Sequence, residues 1–141
     1  MAEFISTAVQ TVQPNQDIIF TNVAVRSNNR SILHREGSGL VSLRGITNQC
    51  RARFKISFGG NIAIPTGGTV EEISLAIAID GEPLNSSTMI VTPAAVEEFW
   101  NVGREIYIDV PCGCCSQISI RNTSTQPIDV ANANLIAERV A

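Results

Sequence analysis

Apolar and polar residues alternate one by one through most of this chain, and this period of two restricts its fold more than any other feature. The alternation is clearest in residues 51–58, 73–80, 105–110, 117–122 and 133–139. Neighbouring side chains of a β-strand point to opposite faces, so each segment presents one apolar and one polar face. That pattern is typical of half-buried antiparallel strands.

The apolar positions of these segments are predicted to share one core between two antiparallel sheets. The residues predicted for that core are Ile73, Leu75, Ile77, Ile79, Phe54, Ile56, Phe58, Ile118 and Ile120.

Clusters of Gly, Pro and Asn separate the segments at a spacing of about 8 to 12 residues, which favours an all-β sandwich or barrel. One helix start is present, where Thr92 and Pro93 precede Ala94 to Glu98. Thr and Pro are suited to the N-cap and the first helical position. We therefore expect an all-β fold with at most one short helix.

Three short motifs carry a resemblance to a known family. The first is a small polar turn after one predicted strand, Ile79-Asp80-Gly81. The second is a turn after another strand, Val110-Pro111 with Gly113. The third, Asn122-Thr123-Ser124, precedes a last strand that begins at Asn132 or Asn134 and continues with Ala133 and Leu135. In this order, over residues 38–141, the chain resembles the tumour-necrosis-factor-like jelly roll of bacterial and phage proteins. The C-terminal domain of collagen-like exosporium proteins is one example.

The resemblance implies a two-sheet antiparallel jelly-roll sandwich that assembles as a homotrimer. We predict that residues 17–141 form the jelly-roll domain. Pro14-Asn15-Gln16 interrupts the pattern before it, so residues 1–16 are predicted to be an N-terminal arm or a peripheral strand.

Charge is scarce in this chain, at 16% of residues with a formal net charge of −3. A sequence pI near 5.1 argues against sequence-independent binding to nucleic acid. No apolar run reaches the ~18 residues of a membrane span. The first ten residues lack the basic start and apolar stretch of a signal peptide, so we expect none.

The titratable residues do not form a recognisable catalytic motif. His34 ends a short strand and is assigned a structural or interface role. The acidic pairs Glu71-Glu72 and Glu97-Glu98 are expected to be solvated loop charges, because neighbours in a strand cannot face one another across a cleft. A surface calcium site at Asp80 and Glu82 stays open as an alternative. We therefore expect no enzyme and no cofactor.

Four cysteines are the chain's unusual feature: Cys50, Cys112, Cys114 and Cys115. The last three lie on a predicted turn between strands, and Cys112 and Cys115 have the spacing of some zinc and redox sites. The alternatives are thiols that stay free or partly buried, disulfides within or between subunits, and a metal site. We favour a packing or inter-subunit contact over a catalytic centre.

A row of basic residues, Arg51, Arg53 and Lys55, occupies the polar face of one predicted strand. This row either meets acidic residues on the next strand and faces solvent, contacts another subunit, or binds an anionic ligand. We regard it as a possible interface.

These expectations favour a non-enzymatic structural protein, most simply a phage virion component such as a capsid decoration protein. Its partners would be two further copies of itself and the major capsid protein or another surface-layer protein, without nucleic acid or membrane. One alternative is an exosporium-like protein of a spore or cell surface. Another is a module that binds carbohydrate or a receptor.

Overall fold

The computed structural model describes residues 2–26, 31–34, 37–46, 50–113 and 115–141. These residues form twelve strands and one short 3₁₀ helix at Asn85–Ser87. The strands are β1 (Ala2–Ser6), β2 (Gln10–Val12), β3 (Asn22–Val25), β4 (Ile32–His34), β5 (Val41–Arg44), β6 (Arg51–Ala63), β7 (Ile73–Ile79), β8 (Glu82–Pro83), β9 (Met89–Val91), β10 (Trp100–Pro111), β11 (Cys115–Asn122) and β12 (Ile128–Arg139).

The strands pair into two antiparallel sheets. The first sheet has the order β10-β6-β12-β1-β3, with β2 also paired to β12. The second has the order β4-β5-β11-β7-β8, with β9 also paired to β7. The predicted all-β, two-sheet antiparallel architecture is confirmed. No helix in this part of the chain is long and apolar enough to cross a membrane.

The core lies between the two sheets and consists of the residues that the alternation selects. Phe54 and Ile56 of β6, Ile77 of β7 and Ile120 of β11 are fully buried. The other predicted core residues are buried too, except Ile79, which is partly buried at the margin. The inward face of each strand was therefore predicted correctly, since a slip of one residue would turn these side chains outward.

The turn between β7 and β8 follows from two residues. Asp80 and Gly81 both have positive φ, at 52° and 87°, and Ile79 pairs with Glu82 across them. An Asp-Gly pair is suited to such a two-residue hairpin turn, because both residues accept the left-handed conformation. The Asp80 carboxylate also accepts a hydrogen bond from the backbone N–H of Gln117 at 2.9 Å, which ties the turn to β11.

The predicted helix start at Thr92 and Pro93 is wrong. The segment after Pro93 forms bends and a turn, and the single helical turn lies earlier, at Asn85–Ser87. Glu97 adopts a positive φ of 62°, and its N–H donates to the carbonyl of Ile64 at 2.7 Å. This hydrogen bond to Ile64, the residue after β6, replaces the hydrogen bonds within the segment that a helix would need. Tertiary contacts therefore override the local helix propensity.

The beginning of the chain contacts both sheets. β1 is hydrogen-bonded between β12 and β3, with Ala2, Phe4 and Ser6 buried. The N–H of Ile18 then donates to the carbonyl of Ile120 in the second sheet at 2.8 Å. The division of the chain at residue 16 stays a prediction.

Candidate functional site

The first sheet presents a face to solvent that contains the basic row predicted from the sequence. Arg51, Arg53 and Lys55 lie on this face in β6, because the residues between them point into the core. The paired strand β10 contributes the other members, as Tyr107 lies opposite Lys55 and Asp109 opposite Arg53. We call these residues, together with Glu105, the charged outer face.

Ion pairs within the chain offset most of the charge of the charged outer face, which has three basic and two acidic side chains. The Arg53 guanidinium donates through Nε and Nη2 to the two carboxylate oxygens of Asp109, at 2.8 and 3.1 Å. Arg51 Nε lies 3.5 Å from the same carboxylate, and Lys55 Nζ lies 3.3 Å from a carboxylate oxygen of Glu105. The basic row therefore meets acidic residues on the next strand, which was one of the three alternatives predicted from the sequence.

The Arg53–Asp109 pair shifts the titration of both groups. The hydrogen bonds from Arg53 hold the pKa of Asp109 below its ordinary value, against a smaller opposing effect of desolvation. The same contact raises the pKa of Arg53. Both side chains are solvent-exposed, where screening keeps such pairs weak. The pair therefore contributes little to the stability of the fold.

Beyond the ion pairs, the outward-facing positions of β6 and β10 are uncharged. Tyr107 is 63% exposed between the ion pairs. Further along the same two strands, Gly59 and Gly103 lie directly opposite each other, and nothing lies within 4 Å of a Cβ built on Gly59. Glycines in a strand interior leave room for close approach of another chain. The face therefore combines an exposed aromatic ring with one glycine pair that has no side chains.

The predicted cysteine turn joins the two sheets at one end of the sandwich. β10 ends at Pro111, Gly113 turns with a φ of 77°, and β11 begins at Cys115. Cys50, Cys112 and Cys115 are all exposed, and Cys115 lies opposite Arg44 of β5. Cys114 lies outside the described residues. Among the residues that are described, no group of three potential ligands could hold a metal ion.

Several of the other titratable residues noted in the sequence make hydrogen bonds within the fold. His34 Nε2 donates to the carbonyl of Ser38 at 2.9 Å, and its ring packs against Phe4. Glu71 accepts from the Thr125 hydroxyl at 2.9 Å, and Glu98 accepts from the indole N–H of Trp100 at 2.8 Å. The structure does not bring these groups together into one cleft.

Sequence reasoning missed how the Asn122-Thr123-Ser124 motif acts. The fully buried Asn122 side chain donates to the carbonyls of Val12 and Gln126, at 2.9 and 3.1 Å. Its Oδ1 accepts from the N–H of Ser124 at 2.8 Å, and Ser124 Oγ accepts from the N–H of Ser74 at 2.7 Å. The motif thus joins β2, β7 and the last two strands, and its role is structural.

Two solved structures share this architecture over nearly the whole chain. Eiger TNF from S. frugiperda superposes with a TM-score of 0.74 at 11% identity, over 99% of this chain and 91% of that one. The globular domain of zebrafish complement 1qA protein gives a TM-score of 0.67 at 8% identity, over 99% of this chain and 96% of that one. The chain therefore has the tumour-necrosis-factor-like jelly-roll fold, as the sequence motifs implied.

Sequence comparisons add no relative to these. No protein-family profile matches the chain, and no curated protein matches it. The likeness to the two solved structures is thus one of fold, and arguments about function depend on the residues themselves.

Proposed function

We propose that this chain is a non-enzymatic structural protein that assembles as a homotrimer through its charged outer face and decorates the surface of a phage capsid. The observation that carries the proposal is Tyr107, which is 63% exposed at the centre of a face whose charges are mostly paired within the chain. Tyrosine is enriched in the buried centre of protein interfaces. Arg53 and Lys55 each have a carboxylate partner within the chain, and Arg51 shares Asp109 with Arg53. The one remaining positive charge would need a carboxylate of a neighbouring copy when the face is covered.

The distribution of charge across the face supports a rotational assembly. The acidic residues Glu105 and Asp109 lie on β10, at the edge of the sheet, whereas the basic residues lie on the neighbouring β6. In a ring of copies, the acidic edge of one copy would meet the basic row of the next. Such a contact joins two different patches, and it forms a ring when the rotation from one copy to the next closes.

A pair of matched substitutions tests the interface. Tyr107→Glu places a charge at the centre of the charged outer face, and we expect it to convert the trimer to monomer. Ile90→Glu is the control, since Ile90 is 59% exposed and lies on β9 of the other sheet. Sedimentation velocity at micromolar concentration compares them. Dissociation of both variants, or of neither, would contradict the assignment of the interface.

The titratable residues noted in the sequence make separate structural contacts. His34 packs on Phe4 and is bonded to backbone, and the carboxylates of Glu71 and Glu98 are bonded to side chains outside any common cleft. General acid–base catalysis needs such groups to converge on one substrate position.

The capsid assignment can be tested by composition. Particles purified by density gradient from the culture that makes this protein should contain the chain, in a fixed ratio to the major capsid protein. Its recovery only with spore coats or cell envelopes would favour the exosporium-like alternative and refute the capsid assignment.

A further inference from the structure

Two cysteines face each other where the first sheet ends. The last register pair between β6 and β10 is Arg51 with Pro111. One residue further, the N–H of Cys112 donates to the carbonyl of Cys50 at 3.0 Å. This hydrogen bond continues the antiparallel register by one pair, so Cys50 lies opposite Cys112.

The segment that carries Cys112 is held in place from a second side. The N–H of Gly113 donates to the carbonyl of Gly45 at 3.1 Å. A Cβ added to Gly45 would lie 2.1 Å from the carbonyl oxygen of Pro111, so the two backbones are in close contact. The turn is thus fixed between residue 45 and residue 50, which keeps Cys112 beside Cys50.

The spacing of such a pair suits a disulfide. Opposed residues in a hydrogen-bonded antiparallel pair have Cα atoms about 5.5 Å apart, and disulfides span Cα distances of about 4.4 to 6.8 Å. The Cβ atoms of such a pair are about 1 Å further apart than a relaxed disulfide prefers. Both cysteines are exposed beyond the last register pair of the sheet, and closing the bond requires the two strand ends to approach each other by about that amount.

We propose that Cys50 and Cys112 form a reversible disulfide within one chain. In thiol–disulfide exchange with a small disulfide, the Cys50 thiolate attacks one sulfur and releases one molecule of thiol. The Cys112 thiolate then attacks Cys50 Sγ in the mixed disulfide and releases the second. Two protein thiols are oxidised, the small disulfide is reduced to two thiols, and the protein bond closes a loop of roughly sixty residues.

The bond would tie the residue before β6, a central strand, to the residue after β10, an edge strand. β10 is paired on one side only, to β6, and is therefore an edge of the first sheet. A disulfide at the end of β10 would reduce the number of conformations open to the unfolded chain. It would also oppose local opening of the edge strand. This inference is independent of the proposed trimer, because it concerns one chain alone.

Peptide mapping tests the pairing directly. Trypsin cleaves after Arg44, Arg51, Arg104 and Arg121, which places Cys50 in residues 45–51 and the other three cysteines in residues 105–121. The variant Cys114→Ser/Cys115→Ser retains only the proposed pair. After incubation with oxidised glutathione and alkylation of remaining thiols, we expect the two peptides to be joined, while non-reducing electrophoresis shows a single-chain mass.

Thermal melting gives the second readout and Cys50→Ser the matched control. Oxidation should raise the melting temperature of the double variant by about 5 °C or more, and dithiothreitol should reverse it. Adding Cys50→Ser should abolish both the joined peptide and the shift. An alkylated or glutathionylated Cys50 in the oxidised protein, or a joined peptide found only in covalent dimers, would overturn the proposal.

Discussion

Replacement of the buried Asn122 by alanine should lower the free energy of unfolding of this protein substantially. The side chain is fully buried and makes three hydrogen bonds, to the carbonyls of Val12 and Gln126 and from the N–H of Ser124. Alanine removes all three and leaves these backbone groups buried without their partner.

The size of the effect follows from the count of lost bonds. Each hydrogen bond contributes about 1 kcal/mol net, so the loss of three lowers the free energy of unfolding by about 3 kcal/mol. For a domain of this length, that corresponds to a fall in melting temperature of about 10 °C. Urea unfolding at fixed protein concentration measures the free energy, and calorimetry measures the temperature.

Two further variants separate hydrogen bonding from side-chain volume. Asn85→Ala is the control, because Asn85 is exposed at the start of the 3₁₀ helix and should change stability by less than about 0.5 kcal/mol. Asn122→Asp keeps the shape and the acceptor for Ser124, but it places an oxygen against the carbonyls of Val12 and Gln126. Wild-type stability in Asn122→Asp, or a cost below about 1 kcal/mol in Asn122→Ala, would refute the reasoning.

Three other predictions follow from packing and charge. Phe54→Ala leaves a cavity between the sheets and should cost about 2 to 5 kcal/mol in urea unfolding. Gly45→Ala should lower the melting temperature, because its Cβ would lie 2.1 Å from the Pro111 carbonyl oxygen. Arg53 lowers the pKa of Asp109, so this ion pair stabilises the folded state above the ordinary carboxyl pKa. That stabilisation is lost as the pH falls and Asp109 becomes protonated. The difference in melting temperature between wild type and Asp109→Asn should therefore shrink below about pH 4.

Period-two alternation predicted the strands because it records which face of each strand is buried. The same signal could have located a bulge that was not predicted. Apolar positions run through Ile128 and Val130, then change phase and run through Ala133 and Leu135. The register of β12 against β6 shifts at this point, and Asn132 there has a φ of 54°. An odd spacing between apolar residues thus marks the extra residue.

The helix prediction failed for a reason that local sequence does not contain. Thr92 and Pro93 supply a helix start, but Ala94 and Ala95 are exposed and offer no apolar face to pack. A short helix depends on such packing for its stability. Contacts with the end of β6, more than thirty residues earlier, fix the conformation of Glu97 instead.

The candidate site was predicted in part. The basic row was visible because its residues alternate with apolar ones, and Glu105, Tyr107 and Asp109 alternate in the same way in a second segment. That these two segments pair, and in which register, is a long-range property set by the packing of both sheets. The partners Asp109 of Arg53 and Glu105 of Lys55 therefore became identifiable only in the structure.

The mass of the assembled protein in solution tests the proposed homotrimer most directly. Light scattering coupled to gel filtration, at micromolar concentration and physiological salt, compares that mass with the 15.1 kDa of one chain. We predict a single species of about 45 kDa, as expected for closed three-fold symmetry. A stable monomer under the same conditions would contradict the proposal, because the charged outer face would then be exposed to solvent in the working protein.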